Sequence, residues 1–282
     1  MRRLLWSCLL LVGWAAVAQD VQFADTNLEW AVRTALGQPT GPLTTNDLQL
    51  LTSLDAPALG IRSVAGLEAA TRLGRLNLTN NVIDDLSPLA GLVGLTNLDL
   101  SFNAITNPAV LSGLTNLTGL GLNRYRPSFY PYVPPLAHLG TPSWLSNLQA
   151  LVHLGFAGNG VTNAGPLGQL TRLQYLDLSS NPVMDISPLA GLYGLTALDL
   201  SRDSVTNFAV LGGLTNMVRL NLNSGYPQQP GYPTMTAGLL GPWPAHALGT
   251  PSWLSNLQGL VELDLVGTGV TNVAPLRDRG RG

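Results

Sequence analysis

Lysine is absent from this sequence of 282 residues, cysteine occurs once, and charged residues make up only 11% of the chain. The cysteine, Cys8, lies in an apolar N-terminal stretch that we expect to be removed. The remaining chain then has no thiol, which excludes a disulfide framework, a cysteine nucleophile and a cysteine metal ligand. Arginine takes the place of lysine throughout, which we attribute to codon usage and to no mechanism.

Catalytic and nucleic-acid-binding patterns are missing as well. The sequence has no G-x-S-x-G, no H-E-x-x-H and no phosphate loop. The formal net charge is −2, and no basic stripe is present to neutralise phosphates. We therefore expect no enzyme, no cofactor, no metal and no nucleic-acid partner. With 45% hydrophobic residues, however, the chain can bury a large core.

The first 18 residues have the three parts of a secretory signal peptide. Arg2 and Arg3 form a basic start, residues 4–14 are apolar, and Ala16-Val17-Ala18 is a small-residue cleavage site. We predict cleavage before Gln19 and export of the chain. The apolar run is too short to span a bilayer comfortably, although retention as an uncleaved anchor is the alternative.

Leucines recur in the rest of the chain at a fixed period. The segment 95–107, LTNLDLSFNAITN, has the frame L-x-x-L-x-L-x-x-N-x-I, and most copies follow one another in steps of twenty-two residues. A larger duplication overlies this period, since SPLAGL occurs at Ser87 and Ser187 and TPSWLSNLQ at Thr141 and Thr250. The copies begin at Leu51, Leu73, Leu95, Leu117, Leu151, Leu173, Leu195, Met217 and Leu260.

Each part of the frame has a physical reason. The L-x-L step has the period of a short strand that buries alternate residues. Stacked copies pair as a parallel sheet, and the return segments cover the opposite side. The asparagines at positions 81, 103, 159 and 181 follow the strands, where buried amides can satisfy backbone groups of two coils. The pattern predicts an α/β fold, a curved leucine-rich-repeat solenoid with a concave parallel sheet and convex short helical or 3-10 turns.

Residues 19–50 differ from the repeats and predict a helical N-terminal cap. Asp25 or Thr26 can begin a helix that Gly37 ends, and Thr44-x-x-Asp47 is a capping box for a second, short helix. The first coil of a solenoid exposes its leucines unless such a cap covers them.

The repeats and the cap together resemble the internalin type of bacterial leucine-rich-repeat protein. The coil form L-x-x-L-x-L-x-x-N-x-I-x-D-x-S-P-L-A-x-L and the segment NLEWAVRTALGQPTGPLT carry the resemblance. It implies a non-enzymatic binding surface outside a bacterium, and the lack of disulfide caps fits that source. This sequence departs from the family in having no immunoglobulin-like domain, no wall-sorting tail and two long insertions.

The predicted division is a signal peptide at 1–18, a cap at 19–50 and nine coils at 51–282. The insertions are 124–140 and 224–249, and we expect the last coil to be incomplete. Arg279 stands there where an apolar residue is due, so we favour a truncated or frameshifted end.

Candidate ligand-binding residues lie on the concave face and in the insertions. Asp99, Asp177, Asp199 and Asp264 share a column that could bind a cation, but calcium needs about six to eight oxygens, and we favour repeat consensus. The concave-face candidates are Phe102, Arg124, His153, Tyr175, Arg202 and Arg219. The insertion candidates are Tyr125, Phe129, Tyr130, Tyr132, Tyr226, Tyr232 and Trp243.

Aromatic residues in long loops bind ligands or pack on their own coil, and the sequence leaves both possibilities open for the insertions. Thr141 and Thr250 are expected to be helix N-caps, with Pro142 and Pro251 at the first helical position. Trp144 and Trp253 are expected to seal the convex side beneath the insertions. The leading hypothesis is an exported module that binds a protein or glycan, with no membrane span after cleavage. One alternative is a structural spacer or fragment of a larger adhesin, and another is a cytosolic phosphatase-regulator type of repeat.

Overall fold

The computed structural model describes residues 19–124, 139–140, 142–224 and 251–268. Nine short strands form one parallel sheet in chain order. Each strand is centred on the first leucine of the L-x-L step of one coil, so the sheet grows by one strand per repeat. The strands are β1 (Ser53–Asp55), β2 (Arg75–Asn77), β3 (Asn97–Asp99), β4 (Gly119–Gly121), β5 (His153–Gly155), β6 (Tyr175–Asp177), β7 (Ala197–Asp199), β8 (Arg219–Asn221) and β9 (Glu262–Asp264).

The register of the sheet follows the sequence period. Within a block of repeats each residue pairs with the residue twenty-two positions later, as Leu76 pairs with Leu98. The register continues across both insertions, where Leu120 pairs with Leu154 and Leu220 pairs with Leu263. The added residues therefore leave the sheet continuous, and the predicted solenoid fold is confirmed.

The return segments form 3-10 helices of three to five residues. A 3-10 helix has three residues per turn and is used in short pieces, which suits a short connection between stacked coils. A leucine in each helix is fully buried, which anchors the helix to the core. The helices are Leu67–Ala69, Ser87–Leu89, Ala109–Gly113, Ser143–Asn147, Gly165–Gln169, Ser187–Gly191, Ala209–Gly213 and Ser252–Asn256.

The predicted helical position of two prolines is wrong by one residue. Pro142 and Pro251 precede the helices that begin at Ser143 and Ser252. The carbonyl oxygen of each proline accepts a hydrogen bond from the leucine N–H three residues later. The fixed φ of proline therefore prepares the turn from outside the helix. The expected caps Thr141 and Thr250 lie outside the described residues.

The N-terminal cap contains the two predicted helices, α1 (Thr26–Leu36) and α2 (Thr45–Leu48). Asp25 caps α1, and Gly37 ends it with a left-handed φ of 67°. Thr44 and Asp47 form the expected capping box of α2. The apolar face of α1 buries Leu28 and Val32 against the first coil. None of the helices in the described ranges has both the length and the apolar character that a membrane span requires.

The core is a column of leucines that runs the length of the solenoid. Leu73, Leu95, Leu173 and Leu195, the first residues of four coils, are fully buried. Each such side chain contributes roughly 1.5–3 kcal/mol relative to exposure to water. Because one coil buries its leucines only against its neighbours, this stabilisation depends on stacking.

A ladder of buried asparagine side chains joins the coils on the side where the chain leaves each strand. The amide nitrogen of Asn81 donates to the carbonyl oxygens of Ala56 and Leu78, at 2.9 and 2.8 Å. Its Oδ1 accepts from the N–H groups of Leu59 and Ile61, both at 3.0 Å. One side chain therefore satisfies four backbone groups in two coils, as the sequence predicts. Asn103, Asn159 and Asn181 occupy the equivalent positions.

Candidate recognition surface

The concave face is formed by the two outward residues of each strand. The central leucine of a strand points into the core, and the residues on either side of it point away, because side chains alternate along a strand. In β6 the central Leu176 is fully buried, while Tyr175 and Asp177 are only partly covered. The residue types at these outward positions therefore set the chemistry of the face.

Glycines form the middle of this face, on β4 and β5. A Cβ atom at Gly119 would lie 2.7 Å from the Asn97 amide nitrogen, and one at Gly155 would lie 2.8 Å from that of Asn123. The glycines therefore leave room for polar side chains that lean across from neighbouring strands or turns. These glycine positions are low and polar, and His153 is the one large outward side chain on the two strands.

An aromatic pair stands directly beside the glycines. His153 on β5 and Tyr175 on β6 are register partners, and their ring centroids are 6.3 Å apart with an interplanar angle of 31°. The His153 side chain is exposed, whereas Tyr175 is half-buried. Two of the predicted candidates are therefore neighbours and form one aromatic surface.

A hollow of about 500 Å³ opens on the other side of Tyr175. It extends across β6 to β9 and contains Arg219, a third predicted candidate. Three carboxylates and one guanidinium are among its lining residues. These residues are Tyr175, Ala197, Leu198, Asp199, Arg219, Leu220, Asn221, Glu262, Leu263 and Asp264.

Negative charge dominates the electrostatics around the hollow. Burial raises the pKa of Asp177; hydrogen bonds from Ser179 oppose this increase, and the neighbouring Asp199 adds to it. Burial also raises the pKa of Tyr175 to about 12, and Asp177 and Asp199 contribute while Arg219 acts in the opposite direction. The charge of the single guanidinium does not offset that of the carboxylates.

The carboxylates of the hollow are held in place by neutral hydrogen-bond donors. Asp199 accepts from the Ser201 N–H at 2.8 Å and from the Asn221 amide at 2.9 Å. Asp264 accepts from the Val266 N–H and from the Asn223 amide, both at 3.0 Å. Within the described ranges, none of the hollow's carboxylates forms an ion pair with Arg219. Their charge is therefore oriented, and no cation in the part of the chain that the structure describes forms an ion pair with it.

Three other predicted candidates lie away from the flat part of the concave face. Phe102 and Arg202 follow the strands in turns, with left-handed φ values of 61° and 59°. The equivalent residues Asn80 and Ser180 have the same conformation, so the turn belongs to the coil and brings these side chains to the rim. The Arg124 guanidinium donates to the Ile105 carbonyl oxygen at 2.8 Å, and burial lowers its pKa.

The insertion candidates lie outside the described residues, so the prediction that they bind a ligand stays a prediction. They are Tyr125, Phe129, Tyr130, Tyr132, Tyr226, Tyr232 and Trp243.

The two tryptophans that follow the insertions pack on the convex side. Trp144 meets Phe156 edge to face, and Trp253 stacks on Phe208, both with centroids 6.3 Å apart. Both tryptophans contact the hydrophobic core. The predicted structural role of these side chains is therefore confirmed.

The aspartate column holds no candidate metal centre in the described part of the chain. No group of three or more His, Cys, Asp or Glu side chains there has a metal-binding arrangement. Asp99, Asp177, Asp199 and Asp264 each accept a hydrogen bond from the N–H two residues later. This shared turn contact explains why the repeat prefers aspartate at the position.

Sequence reasoning missed two features. The first is the charged hollow, which follows from the register that places Asp199, Arg219 and Asp264 on the successive strands β7, β8 and β9. The second is Asp203, which is buried at the ladder position that asparagine holds elsewhere. An alignment of the coils would have shown both.

Comparison with known proteins supports the fold and the resemblance. Residues 149–191 match the family described as Leucine Rich repeats (2 copies). The solved structure of internalin C2 from Listeria monocytogenes is 28% identical, with a TM-score of 0.70 over 86% of this chain and 93% of that chain.

Two further solved structures have TM-scores below 0.5, and we draw no inference from them. Internalin F from the same organism is 23% identical over 95% of this chain and 97% of that chain, with a TM-score of 0.49. The leucine-rich-repeat ectodomain of a plant receptor kinase from Arabidopsis thaliana is 26% identical over 57% of this chain and 20% of that chain, with a TM-score of 0.46. The chain is therefore a leucine-rich-repeat solenoid that is similar to internalin C2 over most of both chains.

Proposed function

We propose that this chain is an exported recognition module that binds a protein through the concave face of its sheet. The observation that carries the proposal is the aromatic and charged surface on β5 to β9. His153 is exposed there, and the neighbouring carboxylates have no cationic partner among the described residues. Exposed aromatic and arginine side chains are enriched where proteins bind one another.

The two insertions begin at the equivalent positions 124 and 224 of their coils. The first follows β4 and the second follows β8, so their bases are separated by four strand steps, or ~19 Å. Their tyrosines and Trp243 offer contact area at a low cost in side-chain entropy. A partner that lies across β5 to β8 would cover the strands that separate the two insertion points.

Export and the absence of catalysis belong to the same proposal. The leader at residues 1–18 supports secretion, after which the chain is left without a thiol. The sequence has no catalytic motif, and a recognition module needs none.

Capture by the full chain tests the proposal. Tagged protein would be incubated with bacterial envelope and conditioned-medium fractions. One photo-cross-linker is placed at Phe102 on the rim, and another is placed for comparison at Met184, which is 62% exposed. We expect one component to cross-link at the rim, and we expect glycosidase treatment not to release it. Cross-linking that is lost after glycosidase treatment would favour a glycan ligand.

Two variants separate the contributions to binding. His153→Ala with Tyr175→Leu removes the concave aromatic pair, whereas Tyr130, Tyr132, Tyr232 and Trp243 changed to Ala removes rings from both insertions. We expect the first variant to lose capture and the second to weaken it. Unchanged capture in both variants would move the binding site to another part of the chain, whereas no captured component with the wild type would favour the spacer alternative. An uncleaved chain found in the cytoplasm would favour the phosphatase-regulator alternative.

A further inference from the structure

The charged hollow on β6 to β9 identifies the chemistry of the partner more closely than the fold does. We propose that this hollow receives an arginine or lysine side chain of the protein partner, between the Asp199 and Asp264 carboxylates and the Tyr175 ring. The proposal rests on the recognition function proposed above and adds the class of side chain that is recognised.

The carboxylates are prepared for a cation that the described part of the chain does not supply. The Oδ1 atoms of Asp199 and Asp264 accept backbone N–H groups, and their Oδ2 atoms accept from the Asn221 and Asn223 amides. Neutral donors orient these groups and leave their charge intact. Charge-assisted hydrogen bonds to a guanidinium are about twice as strong as neutral ones.

The carboxylates alone would describe a solvated sheet face, but the shape and the aromatic wall add to them. The hollow has a volume of about 500 Å³ and is lined in part by Tyr175, whose ring pairs with that of His153. A cation within about 6 Å of an aromatic ring is attracted to the face of the ring. An arginine side chain can contact the ring and a carboxylate together, because its planar group stacks and donates at once.

The internal duplication shows that this chemistry is not a requirement of the fold. The outward strand positions of the first block contain one carboxylate and one arginine, whereas those of the second block contain four carboxylates and one arginine. The buried leucines hardly differ between the blocks, so packing does not account for the change. The first-block positions are Arg75, Asn77, Asn97, Asp99, Gly119, Gly121, His153 and Gly155. The second-block positions are Tyr175, Asp177, Ala197, Asp199, Arg219, Asn221, Glu262 and Asp264.

The resident Arg219 provides an internal check on the sign of the effect. It lies on β8 beside Glu262 on β9, and these two outward residues are register partners. Its positive charge opposes an incoming cation. A neutral residue at position 219 therefore strengthens the binding of a cation, whereas a neutral residue at 199 or 264 weakens it.

The experiment uses the full chain and a fluorescent peptide, acetyl-Gly-Arg-Gly-Arg-Gly-amide. The control peptide carries citrulline in place of both arginines, since citrulline keeps the shape and removes the charge. Anisotropy at low salt is expected to show binding of the arginine peptide and not of the citrulline peptide. Binding should weaken as salt increases, because exposed charges are screened beyond a Debye length of about 10 Å at 0.1 M.

Matched variants place the binding in the hollow. Asp199→Asn with Asp264→Asn should weaken binding about tenfold, and Arg219→Gln should strengthen it about threefold. Tyr175→Leu should weaken it about threefold, and Tyr175→Phe should leave it nearly unchanged. Asp99→Asn, the same column position in the first block, should change it by less than about twofold. Circular dichroism would verify that each variant is folded.

Two results would overturn the proposal. One is equal affinity for the arginine and citrulline peptides, and the other is a loss in Asp99→Asn as large as that in the Asp199 and Asp264 variant. If the wild type and the Asp199 and Asp264 variant capture a cross-linked partner equally, the recognition function is supported but the hollow is not its binding site. Peptide binding without any captured component would instead count against the recognition function.

Discussion

The Oδ1 atom of Asp203 accepts a 2.7 Å hydrogen bond from the backbone N–H of Asn181. The two residues occupy the same position in successive coils, where asparagine forms the ladder. Asp203 is only 2% exposed. Burial raises its pKa well above the usual range; the Asn181 hydrogen bond opposes this increase, and Asp199 and Asp177 add to it. Ionisation of the Asp203 carboxyl group in the folded state therefore costs free energy.

We expect Asp203→Asn to stabilise the fold at pH 7 by about 1–3 kcal/mol. An asparagine amide brings two N–H donors, which Asn181 uses on the carbonyl oxygens of Phe156 and Leu178. A carboxyl group at this position has no N–H donor. Denaturant-induced unfolding at pH 7 measures the difference, and a less stable variant would contradict the expectation.

The same variant should change how stability depends on pH. Because the pKa of Asp203 is raised in the folded state, the folded chain holds this proton more tightly than the unfolded chain. The resulting stabilisation is present below the unfolded pKa of about 3.9 and is lost as pH rises through the folded pKa. The advantage of Asp203→Asn should therefore grow with pH above 4. An advantage that is constant from pH 4 to pH 8 would disprove the linkage.

Asn181→Ala should cost at least about 3 kcal/mol of unfolding free energy, since it leaves several buried backbone groups without partners. The side chain donates to Phe156 and Leu178 and accepts from the N–H groups of Asn159 and Val161. Asn97→Ala is the matched control, because Asn97 is exposed on β3 and should change stability by less than about 0.5 kcal/mol. Similar losses in both variants would mean that the ladder adds nothing specific.

Asp25→Ala should destabilise the N-terminal cap by about 1–2 kcal/mol. Its carboxylate accepts from the Asn27 and Leu28 N–H groups of α1 and, at 2.7 Å, from the Arg62 N–H of the first coil. In this variant, amide hydrogen exchange should accelerate more in α1 than in β5, relative to the wild type. The exposed Asp84 is the control position, and faster exchange in Asp84→Ala would show that the effect is not due to the cap contact.

The Asp25 contact should also weaken in acid. Partial burial raises the pKa of Asp25, but the hydrogen bonds from Arg62, Leu28 and Asn27 outweigh it and lower the pKa overall. A carboxyl group with a lowered folded pKa contributes stability above the unfolded value, and that contribution is lost as pH falls through the folded pKa. The difference between wild type and Asp25→Ala should therefore shrink below pH 4.

Gly66→Ala should destabilise the fold by about 1–3 kcal/mol. Gly66 has φ of +105°, and an added Cβ would lie 2.6 Å from Cδ1 of Phe23. Gly91→Ala is the matched control, since a Cβ there meets nothing within 4 Å, and it should be neutral or slightly stabilising. Thermal unfolding compares the two, and equal melting temperatures would contradict the expectation.

The repeat period accounts for how much of the fold the sequence predicts. A coil can stack in register only when its leucines meet those of the next coil, so Leu73, Leu95 and Leu117 alone imply the order and direction of the strands. The asparagine ladder follows from the same periodicity. The cap is readable because Asp25 and the pair Thr44 and Asp47 are local capping signals that need no distant contact.

The candidate surface was less predictable, because it depends on which outward residues become neighbours. Phe102 is next to the strand in sequence, but a left-handed turn brings it to the rim. His153 and Tyr175 are twenty-two residues apart and form a pair. The sequence predicts Pro142 at the first position of a helix, but the helix begins one residue later. The geometry of the turn decides this position, and the sequence pattern does not specify it.

The sequence by itself therefore determined the architecture, because a one-dimensional repeat specifies its own stacking and every coil contacts only its neighbours. The tertiary structure decided where charge accumulates without neutralisation. Asp199 and Asp264 are 65 residues apart in the numbering and share one hollow. The pKa of Asp203 is raised because the coils enclose its carboxyl group. Burial and the distance between side chains from different coils set these properties, and the residues within a single repeat cannot specify them.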